Sequence, residues 1–175
     1  MDLYGLPQTV QNFINDTIQY RETGACLNYD TCQKILQYAA DTGSQKLTGL
    51  GLYYLAECYW QKGEYENTMQ CLTESVGCLK NTQMYELLAK AHNMMGAVSD
   101  RKNNRMLALS SYYNSLKYAE KYHYYYIQGM AESNIAYTLV RMRLRQEAIQ
   151  HYRTAIVAYS KSEKTYQLNY NRINC

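Results

Sequence analysis

The sequence predicts an all-α protein built from consecutive antiparallel helix pairs, and three observations lead to this fold class. The chain of 175 residues contains one proline and nine glycines, too few for an all-β fold that depends on many tight turns. Apolar residues recur at helical spacing, as at Val10, Phe13, Ile14 and Ile18. Similar segments recur at an offset of 40 residues, and a fixed period in this range is typical of a solenoid.

The repeat is visible when the chain is aligned with itself. Ser115–Ala119 falls opposite Ile35–Ala39, and Gly129 falls opposite Gly49. The register predicts one helical repeat domain over 1–175, with a degenerate unit at 7–42, three units at 45–80, 83–121 and 125–162, and a tail at 164–175. The helices expected within these units span 7–22, 28–41, 45–62, 65–80, 83–100, 104–121, 125–142 and 145–162.

The C-terminal tail carries Tyr166, Leu168, Tyr170 and Ile173 at spacings that predict the start of a further helix. A solenoid needs a polar-faced unit at each end, which favours a chain excised from a longer protein. The same open end predicts a homodimer through the C-terminal residues.

The residues inside each period resemble the tetratricopeptide repeat (TPR) family. The matching positions hold small residues at Ala56, Gly96 and Ala136, where the first helix of a unit approaches the second. The resemblance implies a right-handed TPR-like solenoid of about eight helices plus the tail. The TPR period is about 34 residues, whereas this one is 40, and the proline that commonly ends a TPR unit is absent.

The resemblance also implies a concave groove, lined by the first helix of each unit, that takes a peptide or a protein partner. The groove-facing positions of the family, carried onto this chain residue by residue, give the candidate binding residues Tyr53, Glu57, Trp60, Lys90, Asn93, Asp100, Arg101, Ser133, Tyr137 and Arg141. The clamp that holds a chaperone's C-terminal carboxylate needs a lysine where Tyr53, Asn93 and Ser133 stand. A chaperone tail is therefore disfavoured as the ligand.

The sequence carries no motif of a catalytic, phosphate-binding or metal-binding site, which predicts a chain that is not an enzyme and has no cofactor or metal. Six cysteines without a CxxC pair predict reduced thiols. No apolar run is long enough for a membrane helix, and no secretory signal is visible, so we expect a cytoplasmic protein without membrane contact. A net charge of +3 and two short basic turns disfavour nucleic acid as a partner.

Two segments, LGLYYLAECYWQKGEYENTMQCL and KYAEKYHYYYIQGMAESNIAY, resemble the N-terminal repeat regions of clostridial signalling proteins that carry a GGDEF-type diguanylate cyclase downstream. The resemblance implies a non-catalytic sensory or regulatory module that binds a peptide or protein. Two alternatives stay open: the peptide-binding domain of a cytoplasmic quorum-sensing transcription regulator, and a free-standing scaffold or adaptor.

Overall fold

The computed structural model describes residues 11–12 and 29–173, with side chains as far as Glu163. Seven α-helices and no strands occupy residues 29–173, which confirms the all-α prediction. The predicted first helix, 7–22, lies outside the described residues except for Gln11 and Asn12, which are helical. The seven helices are α1 (Tyr29–Thr42), α2 (Gln45–Gln61), α3 (Tyr65–Leu79), α4 (Tyr85–Arg101), α5 (Arg105–Lys121), α6 (Tyr125–Arg141) and α7 (Arg145–Ile173).

The last helix is longer than the sequence pattern predicts. Helices α1 to α6 begin and end within two residues of their predicted bounds, whereas α7 was predicted to end at 162 and instead runs for 29 residues. Residues 164–173 of the tail therefore continue α7 and do not start a separate helix. The physical reason is that no glycine or proline interrupts Arg145–Ile173, so nothing in the segment ends the helix.

Left-handed backbone conformations recur every 20 residues and end the successive helices. Positive φ angles between 58° and 75° occur at Gly43, Gly63, Gln83, Asn103, His123 and Arg143. At five of these six turns the next residue's N–H donates to the carbonyl five residues back, for example Tyr124 N to Ala119 O at 2.9 Å, the pattern of a Schellman cap. A helix with its connection thus takes 20 residues, and two of them give the 40-residue period.

The chain divides into two compact units at Gln83 and Met84, whereas the sequence pattern predicts a single repeat domain. In the first unit, α2 packs against both α1 and α3. Its buried apolar side chains come from all three helices and include Ile35, Ala39, Leu50, Ala56, Leu72 and Leu79. This core carries the first of the three clear repeat copies.

The second unit contains α4 to α7. Neighbouring helices pack as α4–α5, α5–α6 and α6–α7, and α4 also contacts α6. One cluster of the core joins α5, α6 and α7 through Ala108, Tyr112, Leu116, Ala131, Ile135, Ala136, Leu139 and Ala148. Because the first helices of two successive repeats, α4 and α6, lie side by side, their shared face belongs to one unit.

Residue size is matched at one repeated helix contact. A Cβ added at Gly49 would lie 2.5 Å from Leu79, and one added at Gly129 would lie 2.7 Å from Tyr159. The equivalent pair in the middle copy is Ala89 with Ala119, which share a buried cluster. A large residue on the second helix therefore faces glycine on the first, and a small residue faces alanine.

Candidate binding surface

Seven of the ten residues predicted to line a binding groove lie on the two neighbouring helices of the second unit. Helix α4 carries Lys90, Asn93, Asp100 and Arg101, and α6 carries Ser133, Tyr137 and Arg141. The spacing of three, four and seven residues places most of them on one face of each helix.

Two polar contacts join α4 to α6. Asn134 Nδ2 donates to Asn93 Oδ1 at 3.1 Å, and Arg141 Nη1 donates to Asp100 Oδ1 at 2.8 Å. The acceptors are seven residues apart on α4 and the donors are seven residues apart on α6, so the two contacts repeat at two levels of the same helix pair. Asn93 and Asp100 are buried, with 6% and 7% of their surface exposed, and therefore act from below the surface.

Arg141 is held by three neighbours. Besides the ion pair with Asp100, its Nη2 donates to Asn103 Oδ1 at 3.3 Å, and its guanidinium lies 5.8 Å from the centre of the Tyr137 ring. Asn103 occupies a left-handed turn position, where asparagine is better tolerated than most residues. These contacts fix the orientation of a charged group that is itself exposed.

The exposed part of this face is aromatic and aliphatic as well as charged. Tyr137 is 53% exposed and Val140 is 42% exposed, while Ser133 and Lys90 are half-buried. Lys90 forms an ion pair with Glu86, one turn earlier on α4. We call the face formed by Lys90, Asn93, Asp100, Ser133, Asn134, Tyr137, Val140 and Arg141 the α4–α6 surface.

The fold resembles solved structures of one protein. A crystal structure titled as MamA superposes with a TM-score of 0.63 at 18% identity, covering 93% of this chain and 85% of that chain. A second MamA crystal structure gives 0.60 at 19% identity, covering 89% and 75%, and one titled MamA MSR-1 C2 gives 0.54 at 20%, covering 93% and 82%. The fold is TPR-like. A scan against protein-family models and a search of curated proteins each find no match.

The three predicted residues of the first TPR-like unit lie on α2 and are less accessible than those on α6. Tyr53 and Glu57 are 2% and 5% exposed, and the Tyr53 hydroxyl donates to Glu57 Oε1 at 2.7 Å. Trp60 is half-buried, with its ring 5.4 Å from that of Tyr65. These side chains face inward, so any contact with a ligand in this unit falls to other residues.

A carboxylate, an imidazole and a phenol form a second polar group in the TPR-like repeats of unit two. Nδ1 of His151 lies 2.6 Å from Oε2 of the buried Glu132, and Nε2 lies 3.3 Å from the Tyr113 hydroxyl. The pKa of Tyr113 is raised by burial and by the negative charges of Glu132 and Glu147. A phenol that stays protonated at neutral pH is a poor nucleophile, so we interpret the group as a link between α5, α6 and α7.

Tyrosine rings fill the contact between α4 and α5. Tyr85 stacks on Tyr122 with centroids 4.2 Å apart and planes at 6°, and His92 stacks on Tyr118 at 6.0 Å. The spacing leaves no room for a ligand ring between Tyr85 and Tyr122. The aromatic residues at this join thus pack between helices, the role that the sequence favours over stacking on bases.

Neither metal ligation nor membrane insertion has a structural basis in the described part of the chain. There, no group of three or more histidine, cysteine, aspartate or glutamate side chains could hold a metal ion. None of the helices described is both long and apolar enough to cross a membrane. The cysteines that the structure describes, Cys32, Cys58, Cys71 and Cys78, are free thiols.

The sequence pattern missed two members of the polar network, Asn134 and Asn103. Neither falls on a groove-facing position of the TPR family, because Asn134 lies beside such a position and Asn103 lies in the turn after α4. One signal was available: Asn93 and Asp100 are seven residues apart, and so are Asn134 and Arg141, at an offset of 41. Two amide or charged pairs at matching spacing on adjacent helices predict contacts between those helices.

Proposed function

We propose that this chain is a non-catalytic protein-interaction module that binds a peptide, or an extended segment of a protein, on the α4–α6 surface. The observation that carries the proposal is the exposure of Tyr137 and Val140 beside polar groups already fixed by contacts between helices. Exposed aromatic residues next to oriented arginines are the usual centres of binding energy in interfaces.

The polar network supports binding by holding Arg141 in place before a ligand arrives. The guanidinium has five N–H donors, and the contacts with Asp100 and Asn103 use two of them. The remaining donors are available to a ligand's carbonyl or carboxylate oxygens. Because the side chain is already ordered, binding costs less conformational entropy than it would for a mobile arginine.

The test is a peptide array followed by fluorescence anisotropy on the peptides that bind. We expect micromolar affinity and at least a tenfold weaker dissociation constant for Tyr137→Ala. Met106→Ala is the matched control, since Met106 is 70% exposed on α5 and lies outside the α4–α6 surface. Equal effects of the two substitutions, or binding that neither changes, would contradict the proposal.

For the biological context we favour the sensory or regulatory region of a bacterial signalling protein with a diguanylate cyclase output domain. The two tyrosine-rich segments quoted above support this context. Reading the gene beyond codon 175 tests it directly, because the proposal requires a frame that continues into a GGDEF-type domain. A defined short peptide as the physiological ligand would favour a quorum-sensing regulator, and binding to folded proteins alone would favour a scaffold.

Two further expectations belong to this proposal. The free thiols at Cys32, Cys58, Cys71 and Cys78 suit a reducing compartment, and we place the protein in the cytoplasm. We also propose a homodimer through the C-terminal end, where apolar side chains of α7 are exposed.

A further inference from the structure

Helix α7 carries an exposed row of side chains with alternating spacings of four and three residues. The row consists of Arg145, Ile149, Tyr152, Ile156, Tyr159 and Glu163, which we call the α7 stripe. Ile149, Tyr152 and Ile156 are 43%, 40% and 66% exposed. This spacing is the seven-residue repeat with which one helix packs along another.

The repeat register shows what such a position normally contacts. Tyr152 and Ile156 correspond, 40 residues earlier, to Tyr112 and Leu116 of α5, which are only 3% and 8% exposed. The latter two belong to a cluster completed by residues of α6 and α7. The face of α7 that carries Tyr152 and Ile156 is therefore shaped to receive another helix.

The charges at the two ends of the stripe identify that helix as a second copy of α7. Arg145 stands at one end and Glu163 at the other, and both are exposed. Two stripes in antiparallel orientation, centred on residue 154, would pair Arg145 with Glu163, Ile149 with Tyr159 and Tyr152 with Ile156. A parallel arrangement would instead place arginine against arginine and glutamate against glutamate, which is unfavourable.

We infer that the chain forms an antiparallel, two-fold symmetric dimer in which the α7 stripe of one copy packs against the α7 stripe of the other. This inference rests on the proposed homodimer and assigns its surface, its orientation and its residue pairs. The contact is isologous, so each pair occurs twice. A single pair of helices gives an interface at or below roughly 1,200 Å², the lower end of the range for stable complexes, and we expect micromolar dissociation.

The first experiment is sedimentation velocity on the full chain over a range of micromolar concentrations. We expect a monomer–dimer equilibrium for the unchanged protein and a monomer for Ile156→Glu, because this substitution puts a charge at the centre of the contact. Val157→Glu is the matched control, since Val157 is 54% exposed but lies off the stripe. Circular dichroism checks that both variants keep their helical content.

The outcomes of this experiment separate clearly. A dimer that Ile156→Glu dissociates and Val157→Glu preserves supports the inference. A chain that is monomeric at the highest concentration, a dimer insensitive to Ile156→Glu, or equal loss in both variants overturns it.

A charge exchange tests the orientation. Arg145→Glu alone should weaken dimerisation several-fold, because each glutamate then faces Glu163 of the other copy. The double variant Arg145→Glu/Glu163→Arg should recover most of the affinity, since it restores an opposite pair in the antiparallel arrangement. Failure of the double variant to recover would overturn the antiparallel pairing.

The dimer and the peptide-binding proposal can fail separately. The α7 stripe shares no residue with the α4–α6 surface, so the monomeric Ile156→Glu variant should bind peptides from the array with unchanged affinity. Tyr137→Ala should in turn leave the dimerisation constant unchanged. A loss of peptide binding in Ile156→Glu would contradict the assignment of two separate surfaces.

Discussion

At the residue scale, the sequence predicts well where small side chains are needed. Gly96 faces the ring of Tyr112, and Ala56 and Ala136 are fully buried, as the repeat pattern predicts. The size matching between Gly129 and Tyr159 was beyond the pattern, because it depends on which residue of the second helix meets the glycine. Such pairing follows from helix register, which one sequence does not specify.

The contact between Gly129 and Tyr159 leads to a prediction for stability. Gly129→Ala should lower the free energy of unfolding by about 1–3 kcal/mol, because the added methyl group overlaps the ring. Gly77→Ala is the control: a Cβ at Gly77 meets nothing within 4 Å, and alanine in α3 should raise the free energy by about 0.5–1 kcal/mol. Urea denaturation of the two variants measures both values. Destabilisation of similar size in both would contradict this view of the packing.

The candidate site was only partly predictable at this scale. Family positions correctly directed attention to α4 and α6, but they also included Tyr53 and Glu57, which are buried and bonded to each other. A groove-facing position can carry a residue that turns inward when a polar partner lies one helical turn away. The spacing alone does not show which of the two occurs.

At the scale of helices, the sequence predicts the elements more accurately than their ends. The left-handed turns recur every 20 residues, but glycine occupies only Gly43 and Gly63 of the six positions, while Gln83, His123 and Arg143 give no warning of a turn. The helices α4 to α6 were still placed closely because their apolar spacing is regular. Helix α7 was ended too early because its length depends on the absence of a turn.

The contact between α4 and α6 can be tested energetically through Arg141 and Asp100. Arg141→Met removes the charge but keeps a long stem, and it leaves the carboxylate of Asp100, with 9% of its side chain exposed, without its cation. We expect a loss of about 1–3 kcal/mol in the free energy of unfolding.

The double variant Asp100→Asn/Arg141→Met supplies the control for this prediction. If the two side chains interact as the geometry indicates, its loss should be smaller than the sum of the single losses by about 1 kcal/mol. Chemical denaturation at low and moderate salt measures the four proteins. Strict additivity would show that the ion pair contributes nothing to the contact between α4 and α6.

At the scale of the molecule, the repeat sequence determines an all-α TPR-like fold, and the similarity to MamA structures agrees with it. The division into two compact units was not visible in the sequence, because the repeat register continues without a gap across Gln83. Function lies in surfaces that the repeats leave exposed. The second unit has two such surfaces, α4–α6 and the α7 stripe, on different helices.

The central claim is that the α4–α6 surface binds a peptide or an extended protein segment. The most direct measurement is amide hydrogen exchange on the chain with and without a peptide selected from the array. The account predicts slower exchange in Tyr85–Arg101 and Tyr125–Arg141, with α5 unchanged. Protection confined to α5 or α7, with none in α4 and α6, would contradict the account.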